Sequence, residues 1–312
     1  MEQVSRLHRL LERRELQLSY RIIPDYRIFT DTTADFGPGM LNDLPRIEVI
    51  PMEVSIGDER FLYGPSGDLS VKQFYDMLRA GKFASTSQIN PATYKKAFES
   101  ALQNGYDILY LGFSSGMSGC FDNAQLSMDE LRKTYPERKM FCVDALCASV
   151  GESFLIREAA KKQYEGMPID ELAAWLAEHK LKVCHWFTVD TFDHLKQGGR
   201  VSAAAAIAGG ILNIKPLLHV DNAGRLAVVK KPRGRRLALK ELTTHMQEGW
   251  LPDISPLVVI GHGDDPEAAA MLKSAVEAKY PNAEIHVAEI GPVIAAHTGP
   301  GMLALIYWGD NR

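Results

Sequence analysis

The stretch YDILYLGFSSGMSGCFDNAQLSMDELRK, residues 106–133, decides the fold class. It opens as a continuous apolar run of strand length, passes through a glycine–serine segment, and turns helical from Phe121 onward. The same alternation recurs on both sides. Upstream, YRIFTD (26–31) reads as a short buried strand, and the β-branched RIEVIPMEVSIG (46–57) as strand. LSVKQFYDMLRAGKF (69–83) reads as a helix with Ser70 as its N-cap and Gly81 as its stop. PATYKKAFESALQNG (91–105) reads as a second helix, with Pro91 in its first turn and Gly105 at its end. Downstream, MFCVDAL (140–146) is strand, while residues 153–166 and 169–180 carry two further helical patterns. Strands alternating with helices of about 10–15 residues imply a parallel sheet covered on both faces. In such sheets ligands lie beyond the carboxyl ends of the strands, which points to the loops after Phe29, after the 80s segment and after Phe113.

A second unit begins near Lys182. Residues 185–202 run from strand to helix to glycine turn, and residues 217–234 read as a hairpin around Asp221-Asn222-Ala223-Gly224. Helix, strand, helix and two more strands follow to residue 309, a mixed α+β pattern. The expected division is an N-terminal helical extension over 1–25, an α/β domain over 26–181 and an α+β domain over 182–312. That fits the 312-residue length, at roughly 150 residues per domain.

Composition narrows the function classes. The chain is 46% hydrophobic and 24% charged, ordinary globular values. Its net charge of −4 argues against a general nucleic-acid binder. Cys120, Cys142, Cys147 and Cys184 form no C-x-x-C pair and read as reduced, packed thiols. The longest uncharged apolar stretch, residues 201–214, is shorter than the roughly 18 residues a membrane span needs. The N-terminus lacks the apolar core of an export signal. A soluble, cytoplasmic protein without an integral membrane segment is expected.

Five segments carry candidate chemistry. Thr86 and Ser87 lie just ahead of a helix whose cap, Asn90, is already supplied, so their hydroxyls are available to a carboxylate or phosphate. Gly112-Phe113-Ser114-Ser115-Gly116 satisfies G-x-S-x-G, the nucleophile elbow of serine hydrolases. The helix of an elbow starts straight after its nucleophile, whereas Gly116-Met117-Ser118-Gly119 intervenes here. An anion loop with Ser118 at the mouth of the next helix, a plain strand-ending turn, and an esterase or thioesterase elbow using Ser114 all remain open. Gly198-Gly199 is helix-ending chemistry, and Arg200 after it either reaches a ligand or forms a structural ion pair. His297, between small apolar residues and Gly299-Pro300-Gly301, is held in one place and suited to donating to an anionic oxygen. Lys230, Lys231, Arg233, Arg235 and Arg236 form a local cationic cluster, either a solvated helix entry or a docking surface for an acidic partner. No metal-binding histidine spacing occurs.

Taken in order, these pieces resemble the DegV family of fatty-acid-binding proteins. The resemblance covers about residues 26–308. It is carried by TDTTADF (30–36), TSQ (86–88), SSGMSG (114–119), LKQGGRVS (195–202), LNIKPLL (212–218) and HTGPG (297–301). Ala145, Cys120-Phe121 and Ile89-Asn90-Pro91 depart from the usual family pattern, and residues 1–25 precede the match.

The resemblance implies a two-lobed α/β protein, a Rossmann-like parallel-sheet domain followed by a mixed α+β domain, with a long-chain fatty acid such as palmitate, stearate or oleate between them. It places the carboxylate near Thr86, Ser87, Ser118 and His297, with Ser114, Ser115, Gly119 and Arg200 as the supporting loops. It implies no cofactor and no catalytic residue of the chain's own. The partner it implies is a separate fatty acid kinase that phosphorylates the carboxylate; the cationic cluster read from the sequence, Arg233 and Arg235 within it, is the expected docking surface. Consistent with a binding role, the sequence has no G-x-x-x-x-G-K-[ST] loop to hold ATP. A dozen methylenes at about 0.8 kcal/mol each supply roughly 10 kcal/mol before binding costs. The head group then needs only neutral donors, which avoids the desolvation cost of a buried arginine–carboxylate pair.

Overall fold

The structure, a computed structural model, describes residues 25–202, 213–310 and 312. Residues 1–24 of the expected N-terminal helical extension, and most of the apolar stretch 201–214, lie outside the described residues. From Tyr26 the chain forms β1 (Tyr26–Asp31), β2 (Ile47–Ile50), β3 (Met52–Ile56), β4 (Glu59–Tyr63) and helix α1 (Val71–Arg79). Next come β5 (Ala84–Thr86), α2 (Pro91–Gln103), β6 (Asp107–Gly112), α3 (Cys120–Thr134), β7 (Met140–Asp144), α4 (Ser149–Tyr164) and α5 (Ile169–His179). A 3₁₀ turn leads to β8 (Val183–Thr188), α6 (Asp193–Gln197) and the hairpin of β9 (Leu217–Val220) and β10 (Leu226–Lys230). The remainder is α7 (Arg235–Gly249), β11 (Leu257–His262), α8 (Pro266–Lys279), β12 (Glu284–Glu289), α9 (Pro292–Thr298) and β13 (Leu303–Trp308).

The expected parallel sheet is present, in the order β2-β1-β6-β7 with every neighbouring pair parallel. Its central strands are buried on both faces, which is why β6 reads as an unbroken apolar run rather than an alternation. Local signals set the helix limits. Ser70 caps α1 through a reciprocal box with Gln73, and the Asn90 side chain accepts the Thr93 amide at 2.9 Å with Pro91 following. Residues 46–57 are two strands rather than one, because Pro51 donates no amide and so divides the run between two sheets.

The second sheet, β10-β9-β8-β13-β11-β12, is antiparallel except for the β11–β12 pair. A small antiparallel sheet, β4-β3-β5, lies beside the first. Helix α4 packs between the lobes, against β8, β11 and β13, and is buried nearly all round. One apolar cluster consequently joins Ile28 and Tyr110 of the first sheet to Phe187 and Ala304 of the second, and a smaller one lies behind the second sheet. The sheets divide the chain; the core does not. No helix among the described residues is long and apolar enough to cross a membrane.

Candidate functional site

The first sheet ends where its strands point at the second lobe. The loops after β1, β6 and β7 present Thr33, Phe113, Ser118 and Ser149 to one cavity. Phe187, Ala304 and Ile306, on the inner face of the second sheet, form the opposite wall. The cavity encloses about 750 Å³ of atom-free space with its open mouth included. Its wall is mainly apolar.

Thr86, Ser118, Arg200 and His297 are among its polar lining residues, with Thr33, Ser149, His185 and Thr298. Thr86 is the last residue of β5, a three-residue strand in a segment read as loop from the sequence. Its pairing with Val54 of β3 fixes its position. His297 sits in the last turn of α9, which the sequence reading took only as a rigid apolar segment; Pro292 at its first turn and Gly299 at φ 72° delimit it. The two residues meet with Thr86 Oγ1 and His297 Nε2 2.8 Å apart.

Burial, then the nearby Arg200 charge and His194, push His297 down from 6.5 to about 4, so the ring is neutral at physiological pH. Among the described residues its Nδ1 is buried without a partner, and it lies over Gly198, where a Cβ would run into it. A buried orphan lone pair costs less than an orphan N–H, which assigns the proton to Nε2. Nε2–H then donates to Thr86 Oγ1 and leaves the threonine hydroxyl proton for an anionic oxygen. The glycine pair has two duties: Gly198 gives the imidazole room, and Gly199 turns the chain at φ 71° toward Arg200.

Buried carboxyl groups back the cavity's hydroxyls. Thr33 Oγ1 lies 2.5 Å from Asp31 Oδ1 and 2.8 Å from Glu152 Oε2. One hydroxyl proton serves only one acceptor, so one carboxyl must itself donate. Glu152 is that group: burial, and then the Asp31 charge, hold its pKa well above the usual carboxylate range. Asp35 is raised by burial to about 7; its Oδ2 accepts Ser149 Oγ at 2.6 Å and its Oδ1 accepts the Gly291 amide at 2.8 Å. Asp35 thereby ties the first lobe to the start of α9. Ser149 adopts φ 55°, a left-handed backbone held by these bonds and by its amide donating to Thr33 O at 3.1 Å. Sequence reasoning quoted TDTTADF as a unit and assigned none of its members a role. The available signal was two carboxylates and three threonine hydroxyls directly after a buried strand.

The other residues named from sequence do not join this lining. Ser87 is exposed and does not line the cavity; alternation along β5 points Ser85 outward and Thr86 inward, and Ser87 follows Ser85. Ser115 is exposed, its amide donating to Asp144 Oδ1 at 3.2 Å. Gly119 caps α3, where a side chain would meet Gln88.

Ser114, the elbow candidate, is fully buried and donates to the Gly224 carbonyl at 2.7 Å. It faces the hairpin turn of the other lobe. Arg235 is engaged structurally, donating to Gly301 O at 2.6 Å and to Asp265 at 2.7 Å, whereas Arg233 is exposed. Among the described residues, no group of His, Cys, Asp and Glu is arranged to hold a metal ion.

Comparison with known proteins fits this geometry. The family model described as "Uncharacterised protein, DegV family" matches residues 25–310. A DegV domain-containing protein of Clostridium perfringens is 38% identical over 285 residues, covering 91% of this chain and 98% of its own. A DegV family protein of Thermus thermophilus, its structure described for fatty acid binding, matches at TM-score 0.78 and 27% identity, covering 92% of this chain and 100% of that one. The Streptococcus pneumoniae Fatty Acid Kinase (Fak) B3 protein, solved loaded with linoleic acid, shares the fold at TM-score 0.80 and 20% identity, covering 91% and 99%.

Proposed function

The chain belongs to the DegV family, and on that premise we propose that it binds a long-chain fatty acid in the cavity between its lobes. The carboxylate sits at Thr86, Ser118 and His297, with Arg200 in the supporting loop, and the alkyl chain runs along the apolar wall. The observation that carries this reading is the Thr86–His297 pair, its side chains 2.8 Å apart in the lining of a mainly apolar cavity. Apolar burial supplies the affinity, at about 0.8 kcal/mol per methylene, and the hydroxyls fix the direction of the chain.

The protein acts in the cytoplasm as a carrier with no catalytic centre of its own, and presents the acid to a separate fatty acid kinase. Neutral donors suit that role. A carboxylate clamped by a buried bidentate arginine would have both oxygens engaged, whereas hydroxyl contacts leave one oxygen nucleophilic. Its γ-phosphoryl acceptor chemistry needs no base, because a carboxylate is already ionised at neutral pH.

Mass spectrometry of the denatured purified protein tests the binding step. A co-purifying saturated or monounsaturated acid, or stoichiometric uptake of added palmitate or oleate, is expected; neither would remove the reading. The kinase step is tested by adding a fatty acid kinase and ATP and following acyl phosphate as its hydroxamate.

A further inference from the structure

We propose that His185 is a specificity-determining residue of the cavity, and that the acyl chain bound there carries a hydroxyl group in its middle portion. This rests on the reading that the cavity holds a fatty acid, and it names the class of that acid.

Four polar residues line the cavity besides Thr86, Ser118, Arg200 and His297. Three of them are already engaged by the protein. Thr33 Oγ1 lies between Asp31 and Glu152, Ser149 Oγ donates to Asp35 Oδ2 at 2.6 Å, and Thr298 Oγ1 donates to the Ile294 carbonyl at 3.2 Å. The fourth, His185, is 4% exposed, and among the described residues its Nε2 is buried without a partner. Burial, then the Arg312 charge and His219, hold its pKa well below 6.5, so the ring is neutral and has one donor and one acceptor nitrogen. An orphan lone pair costs less than an orphan N–H, which makes Nε2 the acceptor. The ring sits against the first turn of α4, where a Cβ on Gly151 would displace it. Rotation about its Cβ–Cγ bond is soft, so a small turn directs Nε2 to a guest.

The second sheet sets how far this acceptor lies from the head group. On β8, His185 pairs with Ile306, and Thr188 pairs with Leu303 at the start of β13, the strand that follows α9 and His297. At about 3.3 Å per residue, His185 lies roughly 10 Å along β8 from that edge. A chain whose carboxylate is at Thr86 and His297 passes the imidazole well beyond its first carbons.

A hydroxyl is the group that fits there. Plain methylenes leave Nε2 unsatisfied, and a keto oxygen has no proton to give. A second carboxylate would stand near Asp31, Asp35 and Glu152, which back Thr33 and Ser149. A hydroxyl donates to Nε2 and stays neutral.

The test measures Kd for stearate, 12-hydroxystearate and 2-hydroxystearate on delipidated wild type and His185→Leu, and reads the ratio of each hydroxy acid to stearate. Wild type should bind 12-hydroxystearate within about twofold of stearate, and in His185→Leu that ratio should rise about tenfold, the effect of burying a hydroxyl without its partner. The ratio for 2-hydroxystearate, whose hydroxyl stays beside the carboxylate, should be the same in both proteins. A wild-type ratio above about tenfold for 12-hydroxystearate would overturn the assignment whether or not the variant folds. An equal rise for both hydroxy acids, or no rise for either, would overturn it too. If wild type takes up none of the three acids, the fatty-acid reading itself fails, which is a separate result.

Discussion

Thr86 and His297, 211 positions apart, place a hydroxyl and a neutral imidazole 2.8 Å from each other across the lobe boundary. One is held by a three-residue strand, the other by the last turn of a short helix. Neither lobe alone contains the pair.

Because they share one hydrogen bond, Thr86→Val and His297→Gln should not act independently. Each is expected to weaken palmitate binding about tenfold, and the double variant by much less than a hundredfold. Titration of delipidated protein with a fluorescent fatty acid measures this. Fully additive losses would mean that the two residues contact the ligand separately.

The imidazole also sets an acid limb. Its folded pKa of about 4 lies below the usual 6.5, so the folded state favours the neutral ring. The stability this gives is complete above about 6.5 and is lost as pH falls through about 4, roughly 3 kcal/mol at most. His297→Gln removes it. Denaturant midpoints of wild type and variant should converge between about pH 7 and pH 4; curves that stay parallel would contradict a buried neutral ring.

Asp35 gives the opposite dependence. Burial raises it from 3.8 to about 7, so the folded form prefers the proton. That stability is complete below about 3.8 and disappears as pH rises through about 7. Asparagine keeps an acceptor for the Gly291 amide without the charge. Relative to wild type, Asp35→Asn should gain stability steadily from about pH 4 to pH 8 in urea unfolding, and a constant offset would be the contrary result.

Ser114 is a lobe-to-lobe latch. Ser114→Ala leaves the buried Gly224 carbonyl without that donor and should cost about 1–3 kcal/mol. A fluorophosphonate probe should not label wild-type Ser114, because the hydroxyl is fully buried and donates to the Gly224 carbonyl. Stoichiometric labelling at this serine would restore the hydrolase alternative.

Gly116 tests the same contact from the other direction. A Cβ there would run into the Ala223 carbonyl and lie 2.8 Å from that of Gly224, both backbone atoms of the hairpin turn. Gly116→Ala should cost about 1–3 kcal/mol and loosen the hairpin, read as faster proteolysis near residues 221–225. Unchanged proteolysis would mean that the turn relaxes freely.

Much of this architecture is legible in the chain. Unbroken apolar runs, caps such as Ser70 and Asn90, and the Asp221–Gly224 turn are local signals, each set by backbone chemistry within a few residues. They give the alternating elements, the parallel sheet and the loops at its carboxyl edge. The ordered glycine–serine and HTGPG segments add the family.

What the sequence could not decide is which hydroxyls face inward. Ser114, Ser118, Thr86 and Ser87 are chemically alike as letters. Pairing of β5 with β3 turns Thr86 to the cavity and Ser87 to water, and a hairpin 110 positions away takes Ser114 out of reach. The buried state of Asp35 and Glu152 likewise arises only when α4 closes between the sheets. Propensity and capping act along the chain, so the sequence determined the elements and their order. Burial, pKa and the partners of polar atoms depend on what other segments bring, so which of the named side chains face the cavity was decided by the tertiary structure.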